Sequence, residues 1–378
     1  MLTSEGHSDM APSHKILIGI EAYFYFEENR TMSVIITEAP YLTERHLPTE
    51  VELEKAARLI AAVLPAPSVS PNRRDAGGNQ EADDTMAAVD RTVIMAQEVG
   101  FCFGVKRAID LTRKALAESD NVFIVGDLIH NKHVTDRLAG EGLRKAEDFT
   151  TEPSGTTMVI RAHGMPKARI QAAQEQGLKT VDATCPIVLR TQEAAQSLEA
   201  RGYQVVIIGD RHHAEVIGIV GALETPALVI GNVQELREAK ARYELKRKVG
   251  VVFQTTLALE LYREIVTELP LLCKETSIIN TTCRPVQKRQ EDALEIAKRV
   301  DLMLIVGGKA SHNTQGLAAL CRTVNPNTLH IQNAEELDEA QYKDCKVVGI
   351  ASGLSAPEEL VEAVRAKVLS RTPGSDQG

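Results

Sequence analysis

Three features are missing from this sequence, and each absence excludes a class of protein. No apolar run reaches the roughly eighteen residues that a membrane-spanning helix needs, so we expect no membrane among its partners. The N-terminus lacks the basic region, apolar stretch and small-residue cleavage site of a secretory signal, which predicts a cytoplasmic protein. No CxxC pair occurs, which excludes a zinc ribbon and an ordinary ferredoxin loop.

The sequence is also short of positive charge. Its formal net charge of −9 and isoelectric point near 5.7 argue against a broad nucleic-acid surface, because neutralising phosphates requires clustered Lys and Arg. A local basic patch is compatible with this balance. A hydrophobic content of 43% over 378 residues can bury one large core or a few smaller ones. We therefore predict a globular protein of several domains, with no nucleic acid among its partners.

The meaning of the six cysteines depends on the predicted compartment. Thiols in a reducing compartment seldom form structural disulfides, and more often bind a metal, react or lie buried. Because no CxxC pair is present, any metal ligands must converge from distant positions. The six residues are Cys102, Cys185, Cys273, Cys283, Cys321 and Cys345.

The first ninety residues differ in character from the rest. Residues 65–84 are rich in Pro, Ser, Gly, Asn and charge without apolar periodicity, which is typical of a linker or disordered segment. Residues 50–64 have the spacing of an amphipathic helix, but nothing beside them offers an obvious partner. We predict that residues 1–90 form a largely disordered N-terminal extension or linker.

From about residue 91, short apolar runs alternate with helical patterns, which predicts βαβ units and mostly parallel sheets. Strands that run into Gly and polar residues recur, and so does a cysteine after a strand, as VGFCFG, VDATCP and INTTCRP. Three diverged α/β units are indicated. We place them at 91–185, 186–283 and 284–368, with a tail at 369–378. Since ligands bind at the carboxyl ends of parallel strands, a pseudo-threefold arrangement would bring the three cysteines together.

Cys102, Cys185 and Cys283 are the cysteines in these recurring contexts, so we interpret them as metal ligands. Three thiolates leave one metal position open, either on zinc or on a cubane iron–sulfur cluster whose fourth iron lacks a protein ligand. The alternative is that all three are small buried hydrophobic side chains, as free cysteines usually are. The recurrence of their context favours ligands. The other three cysteines lack such a context, and we expect them to be structural.

Polar side chains at the strand ends form a second set. Histidines, hydroxyls and amides in an acidic protein suit a phosphate or diphosphate, which accepts many hydrogen bonds. Glu215 is the only carboxylate of the set and therefore the natural proton carrier. The alternative for Glu215 is an acid that stabilises a helix N-terminus through the dipole. The set comprises His130, His163, His213, Glu215, Thr255, Thr256, Ser311, Asn313 and Ser355.

Nine segments, in order, resemble one known family. They lie between about residues 92 and 368 and read GFCFGVKRAI, IHN, RAHG, DATCP, HHAEVIG, QTT, TTCRPVQKRQ, GGKASHNT and SGLSAP. The family is 4-hydroxy-3-methylbut-2-enyl diphosphate reductase, the last enzyme of the methylerythritol phosphate route to isoprenoid precursors. The resemblance implies a trefoil of three α/β domains around a central 4Fe-4S cluster. It implies three cysteine ligands, Cys102, Cys185 and Cys283, and one iron left open for substrate.

The resemblance also implies the remaining roles. Glu215 would be the proton-relay carboxylate, Thr255 would bond the substrate and Thr256 would be a supporting contact. The activity would be the reductive dehydroxylation of the allylic diphosphate to isopentenyl and dimethylallyl diphosphate. Because no flavin or nicotinamide fingerprint is present, electrons would come from an external donor, a ferredoxin or flavodoxin. The diphosphate would be bound by His130, His163, His213, Ser311, Asn313 and Ser355.

The chain departs from the common family pattern at two positions. His312 stands where many members have a hydroxyl, which predicts a histidine near the diphosphate. Val286 removes a hydroxyl close to the cluster, which could lower its reduction potential. Two alternatives stay open: an enzyme of the same architecture reducing another allylic diphosphate, and a non-catalytic iron–sulfur oxygen sensor in which Glu215 is dispensable.

Overall fold

The structure is a computed structural model that describes residues 20–26, 32–38, 91–258 and 262–370. Its first unit is a four-stranded parallel sheet covered by helices on both faces. In sheet order the strands are β5 (Arg144–Ala146), β4 (Val122–Val125), β6 (Thr157–Ile160) and β7 (Lys179–Asp182). The helices are α1 (Phe103–Glu118), α2 (Lys132–Gly140) and α3 (Lys167–Glu175).

The second unit contains four parallel strands and four helices. In sheet order the parallel strands are β11 (Glu275–Ile279), β10 (Lys248–Phe253), β8 (Gln204–Ile208) and β9 (Leu228–Ile230). The helices are α4 (Pro186–Ala200), α5 (Ala214–Val220), α6 (Val233–Ala241) and α7 (Arg263–Leu272).

An antiparallel hairpin extends this second sheet at its β11 edge. It consists of β1 (Ile20–Phe26) and β2 (Met32–Glu38), and β2 pairs with β11. These two strands were not predicted from the sequence. Apart from them, the N-terminal extension that was predicted to be largely disordered lies outside the described residues, as does the helix predicted at residues 50–64.

The third unit is again a four-stranded parallel sheet. In sheet order its strands are β13 (Thr328–Ile331), β12 (Leu302–Val306), β14 (Val347–Ser352) and β3 (Thr92–Met95). Its helices are α8 (Arg284–Ala297), α9 (His312–Arg322) and α10 (Glu358–Leu369), with short 3₁₀ turns at Ala334–Glu336 and Glu339–Gln341.

Strand β3 corrects the predicted boundary of the first unit. It was placed with residues 91–185, but it pairs with β14 of the third sheet. The preceding Arg91 guanidinium holds it there by donating to the carbonyls of Cys345 at 3.1 Å and Val368 at 2.7 Å. An apolar strand of four residues has no local feature that selects its sheet, so tertiary pairing makes the choice.

The central strands β6, β8 and β12 are buried on both faces of their sheets, which explains why they are nearly continuous apolar runs rather than alternating ones. Successive residues of one strand enter opposite cores. In β12, Leu304 packs into one core and Met303 and Ile305 into the other. The predicted fold class, three α/β units with mainly parallel sheets, is confirmed. In the ranges that the structure describes, no helix is both long and apolar enough to cross a membrane.

Hydrogen bonds to backbone carbonyls join the loops at the carboxyl ends of the three sheets. The Cys283 N–H, at the start of the third unit, donates to the carbonyl of Thr255 in the second at 2.9 Å. The Cys102 N–H donates to the carbonyl of Leu354 at 3.2 Å, which joins the first unit to the third. The Asn131 side-chain amide donates to the carbonyl of Ser355 at 2.7 Å. The buried Arg289 guanidinium on α8 donates to the carbonyl of Gly100 at 2.7 Å. The loops that follow the strands therefore meet in one central region.

Candidate active site

The three predicted ligand cysteines occupy the same position in their units. Cys102, Cys185 and Cys283 are the N-cap residues of α1, α4 and α8, each in extended backbone conformation and none using its side chain as a cap. Each sulfur therefore lies at the positive end of a helix dipole, and N–H groups of the first turn contact the sulfurs of Cys185 and Cys283. Burial nevertheless raises the pKa of Cys283 to about 12 and also raises that of Cys185. A coordinated metal would deprotonate such thiols outright.

The three sulfurs face one common space. A Cβ atom added at Gly104, in the first turn of α1, would lie 2.7 Å from Cys185 Sγ and 3.9 Å from Cys102 Sγ. Cys283 packs with Val286 and Leu354 in a small apolar cluster that Cys102 also contacts. This is a cradle of soft donors from three chain segments, closed by a glycine where a side chain would intrude. The need for Gly104 was not recognised from the sequence.

The other three cysteines lie elsewhere. Cys273, Cys321 and Cys345 are buried in three separate hydrophobic cores. Within the described residues all six thiols are free of disulfide bonds. The structure thus places the two groups of cysteines in different surroundings, one central and one structural.

Glu215 is a fully buried carboxylate at the first turn of α5, with only 1% of its surface exposed. Its Oε1 accepts the backbone N–H of Thr255 at 2.6 Å, and its Oε2 accepts the Thr255 hydroxyl at 2.9 Å. Burial raises the pKa of Glu215 to about 7, although both Thr255 bonds act in the opposite direction. A carboxyl group with this pKa can gain and lose a proton near neutral pH, as a general acid must.

Thr255 and Thr256 have different surroundings. Thr255 is buried and contacts Glu215 directly. Thr256 is half-buried, and its hydroxyl accepts the Gln254 side-chain amide at 3.0 Å. The side-chain Oε1 of Gln254 in turn accepts the N–H of Asp210 at 3.1 Å. Thr256 therefore supports the loop arrangement through Gln254, a residue that was not singled out from the sequence.

Three histidines converge from two units. Ring nitrogens of His130, His163 and His213 lie within 4.8 Å of one another. The ring centroids of His130 and His163 are 4.3 Å apart, and each lies 5.4 Å from that of His213. Imidazoles at these distances could hold either a metal ion or an anion. The choice depends on whether the nitrogens offer lone pairs or N–H groups.

The tautomer of His213 indicates that the three imidazoles bind an anion rather than a metal ion. Its Nδ1 accepts the backbone N–H of Glu215 at 3.2 Å, so the proton of the neutral ring lies on Nε2. Burial lowers the pKa of His213 to about 3, and it also lowers those of His130 and His163. The His213 ring is therefore neutral at neutral pH and presents an N–H donor to the centre. An Nε2–H group suits a phosphate oxygen, whereas a metal would need a lone pair there.

Several buried polar atoms around these rings have no hydrogen-bond partner among the described residues. A bound ligand with many acceptor oxygens would supply the partners that buried polar groups require. These atoms include His130 Nε2, His163 Nδ1, His312 Nδ1 and Ser355 Oγ.

Ser311, His312 and Asn313 begin helix α9. Ser311 is its N-cap and accepts the N–H of Thr314 at 3.3 Å, and Asn313 is buried in the first turn. A helix N-terminus with small polar side chains is a favourable place for an anion. His312 Nε2 contacts Asp210 Oδ2 at 2.7 Å, and its ring centroid lies 4.6 Å from that of His213. Asp210 was not predicted, although it follows a strand end as the other polar residues do.

The residues of the site follow one spatial order, from the histidines through Glu215 to the cysteines. Glu215 donates its backbone N–H to His213 on one side, and its carboxylate is close enough to Cys185 and Cys283 to raise their pKa values. Glu215 therefore lies between the cysteines and the histidines. The structure brings together all the predicted site residues except Thr256, which contributes indirectly.

Comparisons with known proteins show the family of this chain. A family model described as LytB protein matches residues 93–369. The chain is 40% identical over 282 residues to the 4-hydroxy-3-methylbut-2-enyl diphosphate reductase of Aquifex aeolicus, covering 73% of this chain and 95% of that protein. It is 39% identical over 272 residues to the reductase of the same name from Geobacter sulfurreducens, covering 72% and 95%.

Solved structures are also similar to this chain, among them two diphosphate reductases. One, described as (E)-4-hydroxy-3-methyl-but-2-enyl diphosphate reductase, the terminal enzyme of the non-mevalonate pathway, matches with a TM-score of 0.55 and 39% identity over 74% of this chain and 99% of its own. The other, a diphosphate reductase from Plasmodium falciparum, matches with a TM-score of 0.70 and 24% identity over 76% and 94%. At that identity the second likeness supports the fold alone.

Proposed function

The chain belongs to the LytB protein family, and on that premise we propose how its own residues carry out the reaction of a 4-hydroxy-3-methylbut-2-enyl diphosphate reductase. The predicted family and activity are confirmed. The reaction consumes two electrons and two protons, breaks the allylic C–O bond, and releases the oxygen as water. Its products are isopentenyl and dimethylallyl diphosphate.

An iron–sulfur cofactor follows from family membership. We assign it as a 4Fe-4S cluster held by Cys102, Cys185 and Cys283, with the fourth iron open. The three cap positions, the common space that the sulfurs face and the room left by Gly104 support this assignment. When bound, such a cluster supplies single electrons and a Lewis-acidic iron.

The diphosphate occupies the histidine side of the centre. His213 donates from Nε2, and the unpartnered atoms of His130, His163 and Ser355 supply further polar contacts. Ser311 and Asn313 add contacts at the start of α9. The diphosphate does not react, but its binding energy orients the carbon chain so that the allylic hydroxyl lies at Glu215.

Glu215 supplies the proton that lets oxygen leave as water rather than hydroxide. Its raised pKa keeps a large fraction protonated near neutral pH, and the two bonds from Thr255 fix the carboxyl group. The Thr255 hydroxyl donates its proton to Glu215, and its oxygen accepts a hydrogen bond from the substrate hydroxyl. The complete burial of Glu215 keeps bulk water away from this proton.

The external electron donor is proposed to be a reduced ferredoxin or flavodoxin, and the location cytoplasmic. Phe103, next to Cys102, is 69% exposed. It lines a surface cavity of about 380 Å³ together with Cys102 and Pro285. An exposed aromatic ring beside a cluster ligand is a suitable place for a carrier to approach.

The position of Glu215 between the cysteines and the histidines carries this proposal, and replacing it tests the proposal. We expect Glu215→Gln to lower anaerobic turnover with a chemical reductant about a hundredfold or more, while the iron–sulfur absorption persists. The matched control is Glu199→Gln, because Glu199 also accepts an N–H and a hydroxyl of one threonine, Thr225, at 2.6 Å each. Full turnover by the Glu215 variant would refute the proton-donor role.

The same samples separate the alternatives. Zinc without acid-labile sulfide in anaerobically purified protein would replace the cluster assignment. An intact cluster in wild-type protein that turns over no 4-hydroxy-3-methylbut-2-enyl diphosphate would favour another allylic diphosphate or the oxygen sensor.

A further inference from the structure

Asp210 and His312 form a contact between two units at the edge of the histidine cluster. Asp210 follows β8 of the second unit, and His312 is the first residue of α9 in the third. The His312 Nε2 and Asp210 Oδ2 atoms are 2.7 Å apart. The Asp210 Oδ1 atom accepts the N–H of His212 at 2.9 Å, which fixes the carboxylate in its turn.

This contact decides what the other nitrogen of His312 can do. A carboxylate oxygen only accepts, so the Nε2 atom must carry a proton. In a neutral ring Nδ1 would then hold a lone pair, which would repel a phosphate oxygen. Nδ1 is a buried atom, and the described part of the chain offers it no partner. Only the doubly protonated ring can turn Nδ1 into a donor.

The surroundings permit that charge. The groups that face His312 besides Asp210 are His213, at 4.6 Å between ring centroids, and His130, at 6.3 Å. His163 and Arg161 lie one step further out. The pKa values of His130, His163 and His213 are lowered mainly by burial, so these rings are neutral and do not repel a cation at His312. Within the residues that the structure describes, His312 alone of the four imidazoles has a carboxylate at hydrogen-bond distance.

We propose that Asp210 is a positioning residue that holds His312 doubly protonated, so that His312 gives the substrate diphosphate a cationic N–H donor. This inference rests on the proposed function. It assigns a role to Asp210, and it explains why a histidine is accepted at a position next to three others. Because both side chains are about a third exposed, solvent screens the ion pair, and we expect a moderate change in the Kd of diphosphate when Asp210 is replaced.

Binding of inorganic diphosphate to the cluster-loaded protein tests the proposal by anaerobic calorimetry. We use Asp210→Ser, whose hydroxyl can still accept the His212 N–H, and compare its Kd with wild type at about pH 6 and about pH 8. The ratio of the variant Kd to the wild-type Kd should be larger near pH 8 than near pH 6, because only the wild type has a carboxylate that favours the doubly protonated ring. Near pH 8 the variant should bind about tenfold more weakly than the wild type.

Two further variants complete the test. His312→Ser should remove the pH-dependent difference, so that adding Asp210→Ser to it changes the Kd little. Asp148→Ser is the matched control, because Asp148 accepts Arg169 and a backbone N–H at 2.6 and 2.7 Å in the first unit. In turnover assays Asp210→Ser should raise KM and leave kcat within about twofold.

The outcomes separate the two proposals. A ratio of Kd values that is the same at both pH values, or a loss confined to kcat, would overturn the role of Asp210 while leaving the reaction intact. Absence of wild-type turnover would instead overturn the proposed function. A ratio of Kd values that is larger near pH 8, together with normal wild-type turnover, supports both the role of Asp210 and the proposed function.

Discussion

Single residues at this site work through burial rather than through many partners. Glu215 receives two hydrogen bonds from Thr255, and both favour its charged form. Desolvation outweighs them and raises the pKa to about 7. Burial also favours the neutral form of His213, but because that ring is charged when protonated, its pKa is lowered to about 3. One acid and several neutral donors at the same pH are what a diphosphate site with a proton-delivering end requires.

The raised pKa of Glu215 predicts a pH-dependent stability. Between about pH 4.5 and 7 the folded protein keeps a proton that the unfolded chain loses, so stability decreases as pH rises through this window. At full ionisation the cost is roughly 3 kcal/mol. The Glu215→Gln protein does not lose stability in this way, because its amide does not ionise. Its apparent melting temperature relative to wild type should therefore increase by roughly 5 °C between about pH 5 and pH 8, measured anaerobically by circular dichroism.

The titration of the histidines affects the melting temperatures of both proteins equally, because the same histidines are present in both. The control is again Glu199→Gln, which should keep a constant difference from wild type. A constant difference for Glu215→Gln as well would mean that Glu215 ionises normally, and its role as proton donor near neutral pH would lose its physical basis.

At the scale of elements, the same arrangement of a cysteine at a helix N-terminus occurs three times. Helices α1, α4 and α8 each begin directly after a cysteine, and α4 and α8 carry a proline in the first turn. Proline at this position needs no N–H partner and pre-sets the helical backbone. The cysteine is therefore held at a fixed point between strand and helix. The first turn of α1 uses a glycine instead, which leaves room for sulfur.

Gly104→Ala tests this cradle. Alanine normally favours a helix over glycine by about 1 kcal/mol, so a simple helix would be stabilised. Here the added methyl group would lie 2.7 Å from Cys185 Sγ, so we expect most of the bound iron and acid-labile sulfide to be lost. Metal and sulfide analysis after anaerobic reconstitution gives the readout.

Gly316→Ala in α9 is the matched control, because a Cβ there meets no atom within 4 Å. It should keep the full cluster content. A Gly104→Ala protein with the same iron and sulfide as wild type would show that the three sulfurs do not share the space that the cradle encloses.

At the scale of the whole molecule, the described site residues all lie between Cys102 and Ser355, within the 93–369 match to the LytB model. The hairpin of β1 and β2 covers the β11 edge of the second sheet. Removing residues 1–85, so that the chain starts at Met86, should keep kcat within about twofold.

The same truncation should increase self-association, because it exposes a strand edge with unpaired N–H and carbonyl groups. Turnover and light scattering at matched concentrations measure the two effects. A large loss of kcat in monomeric truncated protein would mean that the extension contributes to catalysis.

The sequence by itself determined the chemistry of this protein. Nine segments in order, three cysteines after strands and a set of histidines, hydroxyls and one glutamate predicted the fold class, the family and the reaction. These features are local: a strand end, a helix start and a residue type can be read from neighbours in the chain. The repetition of similar units added the expectation that distant segments converge.

Only the tertiary structure decided how these residues act. It moved β3 to the third sheet, showed that Gly104 must be small, and placed Asp210 of one unit against His312 of another. It also buried Glu215 enough to raise its pKa. Strand pairing, desolvation and contacts between units depend on the sum of many distant segments, so no local pattern encodes them.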